Sequence, residues 1–185
     1  MILIQKFDMT TRFLSLKEIT LIMQELLIPK EAYEAVWDIN LEFLKEQQIT
    51  TLILDLDNTL LSNKQRNLSI QHLNWLQKCK DNGFQIYLLS NNRSKKRVSR
   101  AASQIECNGF YLAMKPFTFS IKHLADTYNL NLKQCAIIGD QVFKDVILGN
   151  WLNVYSILVE PIDKTMSIFT RAQYTLERYL TKKLK

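Results

Sequence analysis

The sequence predicts an α/β fold, a Rossmann-like doubly wound parallel sheet of about five strands with helices on both faces. Five short, nearly continuous apolar runs predict strands that are covered on both faces, as in a parallel sheet. Helical stretches separate these runs, so strand and helix alternate and right-handed crossovers are expected. The chain has 185 residues, 47% of them hydrophobic, and is long enough for one good core.

The first 27 residues stand apart from this alternation and are predicted as a helical N-terminal extension, with residues 28–185 forming a single domain. Apolar residues recur at helical spacing in "LKEITLIMQELLIPKEAYEAVW", and Pro29 should end the first part of that helix. We expect its apolar face to pack on the domain, with a membrane or a partner as the alternative. The opening "MILIQKF" is too short for a signal peptide or a span, which needs about 20 apolar residues, so a cytoplasmic location is expected.

The predicted strands are, in order, "ITTLILD", "FQIYLLS", "GFYLAM", "CAIIGD" and "VYSILV". Helices are predicted over about residues 69–82, 93–106, 117–129 and 141–152, and a last one begins near residue 165. Each of the first four helices follows one strand and leads to the next, as repeated βαβ units require.

The positive charge of the chain belongs to its body and tail. Residues 1–50 carry five Lys/Arg against eight Asp/Glu, whereas residues 51–160 carry thirteen against eight and residues 161–185 six against two.

The three cysteines, Cys79, Cys107 and Cys135, are odd in number and widely spaced. This spacing argues against a disulfide framework or a zinc site and suits a reducing compartment.

Polar side chains stand at the ends of four predicted strands. Asp55 closes the first strand, Ser90 and Asn91 close the second, Lys115 follows the third and Asp140 closes the fourth. Ligands of doubly wound sheets bind beyond the carboxyl ends of the strands. We therefore expect these side chains to meet at one edge of the sheet and to form the functional site.

Four segments, "DLDNTL", "LLSNN", "KP" and "GDQVFKD", resemble in order and spacing the four motifs of the haloacid dehalogenase (HAD) superfamily of phosphatases. Longer stretches, including "GDQVFKDVILGN" and the tail "ILVEPIDKTMSIFTRAQYTLERYL", are similar to the YqeG-like group of subfamily IIIA. That group is related to a mitochondrial phosphatidylglycerophosphate phosphatase. The likeness begins near residue 28, and Gln48 stands where glycine would be expected before the first strand.

The resemblance implies a phosphomonoester hydrolase with Asp55 as the nucleophile that forms an aspartyl-phosphate. Asp57, two residues later, would protonate the leaving group and then deprotonate the attacking water. A phosphate dianion repels a carboxylate, so a divalent cation must bridge them, and Mg²⁺ prefers oxygen ligands. The implied ligands are Asp55, Asp140 and the backbone carbonyl of Asp57.

The remaining motif residues are expected to stabilise charge around the transferred phosphoryl group. The resemblance implies that Ser90 and the backbone N–H of Asn91 hold phosphoryl oxygens, and that Lys115 neutralises their charge. Asp145 is expected to orient Lys115 or a water molecule from outside the first shell of ligands.

Two further features bear on the substrate. The short segments after the first and third strands leave no room for a cap domain, so the site should be open to large substrates. The basic stretch "RSKKRVSR", residues 93–100, follows the second motif directly. It is either a solvated basic face or a patch that attracts a polyanion.

We therefore expect a lipid phosphate such as phosphatidylglycerophosphate as the substrate, met at the inner face of an anionic membrane through peripheral contact. One alternative is a nucleotide or nucleic-acid phosphatase, which the basic patch permits. Another is a non-catalytic binding protein on the same scaffold, against which the intact motif residues count. An ion pump or dehalogenase relative is disfavoured because Asp57 supplies an acid/base that those chemistries do without.

Overall fold

A six-stranded, entirely parallel sheet forms the centre of the computed structural model, which describes residues 15–163 and 174–180. The strand order is β1-β6-β5-β2-β3-β4. The strands are β1 (Glu31–Tyr33), β2 (Thr51–Leu54), β3 (Gln85–Leu89), β4 (Asn108–Phe110), β5 (Cys135–Gly139) and β6 (Tyr155–Val159). The predicted α/β class and the five predicted strands are confirmed.

Helices cover both faces of the sheet. They are α1 (Leu16–Leu27), α2 (Leu41–Glu46), α3 (Ile70–Asp81), α4 (Lys95–Ile105), α5 (Phe119–Tyr128), α6 (Ile147–Leu152) and α7 (174–180), with one turn of π-helix (Val142–Val146) before α6. Leu52 and Leu54 of β2 share a core with α3 and α4, whereas Ile53 faces the other way, into a core with α5 and α6. Burial on both faces explains why this strand is a continuous apolar run.

The register brings the ends of the central strands to one level. Leu54 of β2 pairs with Leu88 of β3 on one side and with Ile138 of β5 on the other. The residues that follow these strands therefore lie at a common edge. Residues 55–69 and 111–134, which the structure describes throughout, hold no inserted cap domain.

Two strands differ from the sequence prediction. The edge strand β1 was not predicted, because its three residues include a glutamate and form no apolar run; it pairs only with β6. The third predicted strand is shorter than expected, because β4 ends at Phe110 and the backbone of Leu112 and Met114 is left-handed. A strand cannot continue through that conformation.

The helical part of the predicted extension packs on the domain. A capping box between Ser15 and Glu18 begins α1, and the helix ends at Leu27, before the extended Ile28 that precedes Pro29. Leu27 is buried against Val142 and Val146. The stretch "MILIQKF" and the beginning of the last predicted helix lie outside the described residues. None of the helices within the described ranges is long and apolar enough to cross a membrane.

Candidate active site

The nucleophile predicted from the sequence stands at the centre of the sheet edge. Asp55 follows β2 directly, and its backbone N–H donates to the carbonyl of Ile138 on β5 at 2.9 Å. This bond continues the strand pairing by one residue and fixes where the aspartate leaves the sheet. Its side chain is buried, 7% exposed as a residue, at the bottom of a pocket of about 190 Å³ that also reaches Asp57, Ser90, Asn91 and Asp145.

Lys115 joins two carboxylates in this pocket. Its Nζ lies 2.5 Å from Oδ1 of Asp55 and 2.5 Å from Oδ1 of Asp145, and all three residues are buried. Burial alone would lower the pKa of Lys115, but the charges of Asp145 and Asp55 outweigh it and raise that pKa. The lysine is therefore a permanent cation between the two aspartates.

Asn91 fixes the backbone that carries this lysine. Its side-chain Oδ1 accepts from the N–H of Lys115 at 2.7 Å, and its Nδ2 donates to the carbonyl of Lys115 at 3.0 Å. The second motif thus holds the third motif in place through a pair of reciprocal hydrogen bonds. The phosphate-binding role predicted for the backbone of Asn91 stays a prediction.

Three buried carboxylates could hold a cation. One oxygen from each of Asp55, Asp140 and Asp145 lies within 4.8 Å of the others. Burial is the main reason that the pKa of Asp55 rises to about 6, against the lowering influence of Lys115. Burial, followed by the charges of Asp55 and Asp145, raises the pKa of Asp140 to about 8. Such mutual repulsion is what a divalent cation among oxygen ligands relieves, so the donor set fits Mg²⁺.

A glycine makes room for this cluster. Gly139 ends β5, and a Cβ atom built on it would lie 2.2 Å from Cγ of Asp145. The carboxylate of Asp145 therefore packs directly against the backbone of the strand end. Its other oxygen accepts from the N–H of Gln141 at 3.3 Å, at the start of the π-helical turn.

Asp57 faces a different environment from Asp55. Its Oδ1 accepts from Nε of Arg97 at 2.7 Å and its Oδ2 accepts from Nδ2 of Asn92 at 2.8 Å, with Ser90 Oγ at 3.5 Å. The side chain is 24% exposed, so it stands at the rim of the pocket. Asp57 does not belong to the carboxylate cluster, and its side chain is free of the lysine that holds Asp55.

The structure brings all seven predicted site residues to this edge, and it adds four that the sequence did not reveal. Thr59 donates to Asp140 at 3.1 Å and reaches Asp55 at 3.5 Å. Arg97 and Asn92 hold Asp57. Arg97 lies in the predicted basic stretch, but nothing in "RSKKRVSR" distinguishes it from the other four cations.

The fourth addition comes from α7. The hydroxyl of Tyr174 donates to Oδ2 of Asp140, and both side chains are buried. Glu177, also buried, anchors the same helix by accepting from the N–H groups of Val142 and Phe143 at 3.1 and 3.2 Å. These two N–H groups belong to the first turn of the π-helix that leads to Asp145, so α7 is joined to both sides of the carboxylate cluster.

Arranged in this way, the site can do two kinds of chemistry with two aspartates. Asp55 is held by an ammonium group at the bottom of the pocket and is suited to attack an electrophile. Asp57 is accessible and hydrogen-bonded, and is suited to exchange protons.

The chain is similar in sequence to known phosphatases. The model of the family described as "Mitochondrial PGP phosphatase" matches residues 14–162. "Probable phosphatase YqeG" from Bacillus subtilis (strain 168) is 29% identical over 163 residues, which cover 88% of this chain and 94% of that protein.

Solved structures support the fold alone. A predicted HAD-like family hydrolase from Porphyromonas gingivalis superposes with a TM-score of 0.51 at 10% identity, covering 68% of this chain and 98% of the other. An uncharacterized protein from Listeria monocytogenes serotype 4b gives a TM-score of 0.51 at 14% identity, covering 72% and 99%. With the family match spanning most of its length, the chain has a HAD-like fold and belongs to the mitochondrial PGP phosphatase family, and it is a phosphatase, a hydrolase of phosphoric monoesters.

Proposed function

We propose that the chain hydrolyses a phosphate monoester through an aspartyl-phosphate on Asp55 and depends on Mg²⁺. The observation that carries this proposal is the different setting of the two aspartates. Asp55 is buried and lies 2.5 Å from the ammonium group of Lys115, whereas Asp57 stands at the rim, 2.7 Å from Arg97. One setting suits a nucleophile and the other suits an acid/base.

The charge of the buried cluster supports the Mg²⁺ dependence. When ionised, Asp55, Asp140 and Asp145 outnumber the one buried cation among them, Lys115. Two negative charges are then left without a counter-charge, which is costly in a buried site. The proposed ligands are the carboxylates of Asp55 and Asp140 and the backbone carbonyl of Asp57. When bound, Mg²⁺ would supply positive charge that offsets the repulsion between Asp55 and a phosphate dianion.

In the first half-reaction, a carboxylate oxygen of Asp55 attacks phosphorus, and the bond from phosphorus to the leaving oxygen breaks. Asp57 gives its proton to that oxygen, and the alcohol departs. Arg97 and Asn92 orient Asp57 for this transfer, since each holds one of its carboxyl oxygens. Lys115, with Ser90 and the N–H of Asn91, balances charge on the phosphoryl oxygens.

In the second half-reaction, Asp57 takes a proton from water, and the water oxygen attacks phosphorus. The bond between Asp55 and phosphorus breaks, inorganic phosphate leaves, and both aspartates return to their starting states. Asp145 keeps Lys115 in place throughout, because its Oδ1 lies 2.5 Å from Nζ. Asp145 is thus a positioning residue in this scheme.

A lipid phosphate is the substrate that we favour. The family match points to phosphatidylglycerophosphate. The absence of a cap between residues 55 and 69 and between residues 111 and 134 leaves the site open to a bulky substrate. Beside the site, Arg97 also lines a basic pocket of about 300 Å³ together with Arg66, Lys96 and Arg100. This pocket suits an additional anionic group, and it is also the observation that favours the alternative, a nucleotide phosphatase.

The test is phosphate release from phosphatidylglycerophosphate in mixed micelles, a nucleotide, a sugar phosphate and an aryl phosphate, each with Mg²⁺ and with chelator. We expect Mg²⁺-dependent release that is fastest from the lipid. Asp55→Asn should abolish turnover on every substrate, since the amide is nearly isosteric but cannot attack. Asp126→Asn, an exposed position on α5, is the matched control and should behave as the wild type does.

Two results would count against the proposal at different levels. Turnover well above a trace in Asp55→Asn would show that phosphoryl transfer does not pass through this residue. Faster release from the nucleotide than from the lipid would replace the substrate assignment and leave the mechanism as it is.

A further inference from the structure

A row of large apolar side chains borders the active site without being buried. Tyr111, Leu112, Met114, Phe117 and Phe119 are 40, 45, 52, 66 and 49% exposed. We call these five residues the apolar rim. They lie within the nine residues that follow β4 and that include Lys115, so they surround the lysine of the site along the chain.

The backbone of this segment is pinned to the second motif. The N–H of Leu112 donates to the carbonyl of Asn92 at 3.0 Å, and the N–H of Ala113 donates to the carbonyl of Ser90 at 2.9 Å. Together with the reciprocal bonds between Asn91 and Lys115, these contacts fix three residues of the rim segment, Leu112, Ala113 and Lys115, against three consecutive residues of the site. The apolar side chains are therefore presented to solvent by an ordered backbone.

In the same segment, exposed residues with a strained backbone alternate with buried residues. Leu112 and Met114 have φ values of 51° and 53°, in the left-handed region that residues other than glycine rarely occupy. Ala113 and Lys115, which alternate with them, are 1% and 5% exposed. The strained conformation thus points the lysine into the site and turns leucine and methionine outward, and strain of this kind concentrates at functional sites.

Cations stand next to the apolar rim. Arg93 directly follows Asn92, whose carbonyl holds Leu112, and the exposed Lys95, Lys96 and Arg100 follow on α4. Apolar side chains that sit beside lysines and arginines are the combination that binds anionic bilayers: the apolar groups enter the interfacial region and the cations meet the head groups.

We infer that the apolar rim docks the enzyme on an anionic lipid bilayer, with Arg93, Lys95, Lys96 and Arg100 contacting the head groups. This orientation turns the open pocket with Asp55 toward the membrane surface. The inference rests on the proposed lipid-phosphate activity and names the surface through which the lipid is met. The sequence-based expectation of peripheral membrane contact did not include the apolar rim.

The test compares Met114→Ser/Phe117→Ser with the wild type in co-sedimentation with vesicles of phosphatidylcholine, with and without phosphatidylglycerol. Both side chains are more than half exposed, so the fold does not depend on them. We expect the wild type to bind the anionic vesicles more tightly and to be released by high salt. The double variant should partition at least about tenfold less, since two large apolar groups no longer enter the bilayer. Its turnover of a soluble aryl phosphate should equal that of the wild type.

Trp151→Ser is the matched control. Trp151 is 55% exposed but lines a pocket with Gln47 and Ile49, which precede β2, so it lies at the opposite edge of the sheet. This variant should bind vesicles as the wild type does.

Two outcomes would overturn the inference. One is equal vesicle binding by the wild type and the double variant. The other is no binding by the wild type at low salt, which would indicate a protein partner or a second copy on the rim. Either result leaves the phosphatase assignment intact, because that assignment is read from the aryl phosphate. Failure of the wild type to release phosphate from any substrate would instead refute the proposed function.

Discussion

Replacing Asp140 by asparagine should stabilise the cation-free protein and should also remove the stabilisation expected from binding of the proposed Mg²⁺. Asp140 is 2% exposed and close to two other buried carboxylates, Asp55 and Asp145. Burial and these neighbouring charges raise its pKa from 3.8 to about 8. The side chain is therefore unfavourable for the fold in the absence of a cation, and a neutral isostere relieves that cost.

The size of the effect follows from linkage between protonation and folding. The folded protein retains a proton on Asp140 that the unfolded chain has lost, so stability falls as the pH rises from about 4 to about 8. At up to about 1.4 kcal/mol per pH unit, the cost near pH 7 is about 4 kcal/mol. Asparagine cannot accept hydrogen bonds from both Thr59 and Tyr174, which costs about 1–3 kcal/mol. The net gain of about 1–3 kcal/mol should raise Tm by about 2–10 °C.

Thermal unfolding between about pH 5 and pH 8, in chelator and in Mg²⁺, measures both effects. In chelator, the Tm of the wild type should fall with rising pH, and that of Asp140→Asn should fall much less. Mg²⁺ at about one hundred times its Kd should stabilise the wild type by about 2.7 kcal/mol and the variant by far less. The Mg²⁺ affinity of the wild type should increase with pH up to about 8, because Asp140 must lose its proton to bind.

Asp126→Asn serves as the control, since it removes one exposed carboxylate from α5 and should leave both the pH dependence and the response to Mg²⁺ unchanged. The reasoning would be refuted by an Asp140→Asn protein that is less stable than the wild type in chelator and gains the same stability from Mg²⁺. That result would mean that Asp140 is a structural acceptor for Thr59 and Tyr174 and takes no part in cation binding.

Three further predictions address the acid/base, the strand end and the turn before β2. Asp57→Asn should cost about 10²–10⁴ in turnover of an alkyl phosphate and much less on an aryl phosphate with a good leaving group; equal losses would remove the acid role. Gly139→Ala should lower stability in urea by about 1–3 kcal/mol and reduce turnover, because the added Cβ would lie 2.2 Å from Cγ of Asp145; an unchanged midpoint would contradict the packing. Gln48→Gly should raise stability in urea by up to about 1 kcal/mol, because Gln48 has φ of 61°, and a loss would contradict that strain.

The central part of the fold could be predicted because its strands are buried on both faces. Each residue of β2 is buried, and a continuous apolar run followed by a polar residue marks both the strand and its end. The same criterion failed at the edges. Glu31–Tyr33 forms β1 without an apolar run, and "GFYLAM" is apolar although Tyr111, Leu112 and Met114 are exposed. An apolar run indicates burial, but a surface that meets a membrane or a partner has the same composition.

The sequence allowed prediction of those site residues whose location is determined by the end of a strand. Asp55, Ser90, Lys115 and Asp140 follow strand ends, and parallel pairing brings strand ends together. The residues that contact these side chains could not be predicted from the sequence, for a different reason. Arg97 lies 40 residues from Asp57, on a helix whose direction relative to the sheet no local pattern specifies. The same holds for Tyr174, whose helix is joined to the cluster only by tertiary contacts.

Asp55 and Asp57 differ in burial and in charged neighbours because a buried carboxylate cluster and an exposed rim meet at the end of β2. On a continuous strand Asp55 and Asp57 would point to the same face, but β2 ends at Leu54. A tight turn follows Asp57, in which Asn58 has φ of 67° and donates its N–H to the carbonyl of Leu61. Asp55 therefore lies in the buried, net negative cluster, whereas Asp57 lies at the rim, where Arg97 and Asn92 hold its carboxyl oxygens. In the proposed reaction, the leaving group departs on the accessible side of the pocket, toward Asp57. The buried end of the pocket thus holds the proposed nucleophile, and the exposed end holds the proposed acid/base.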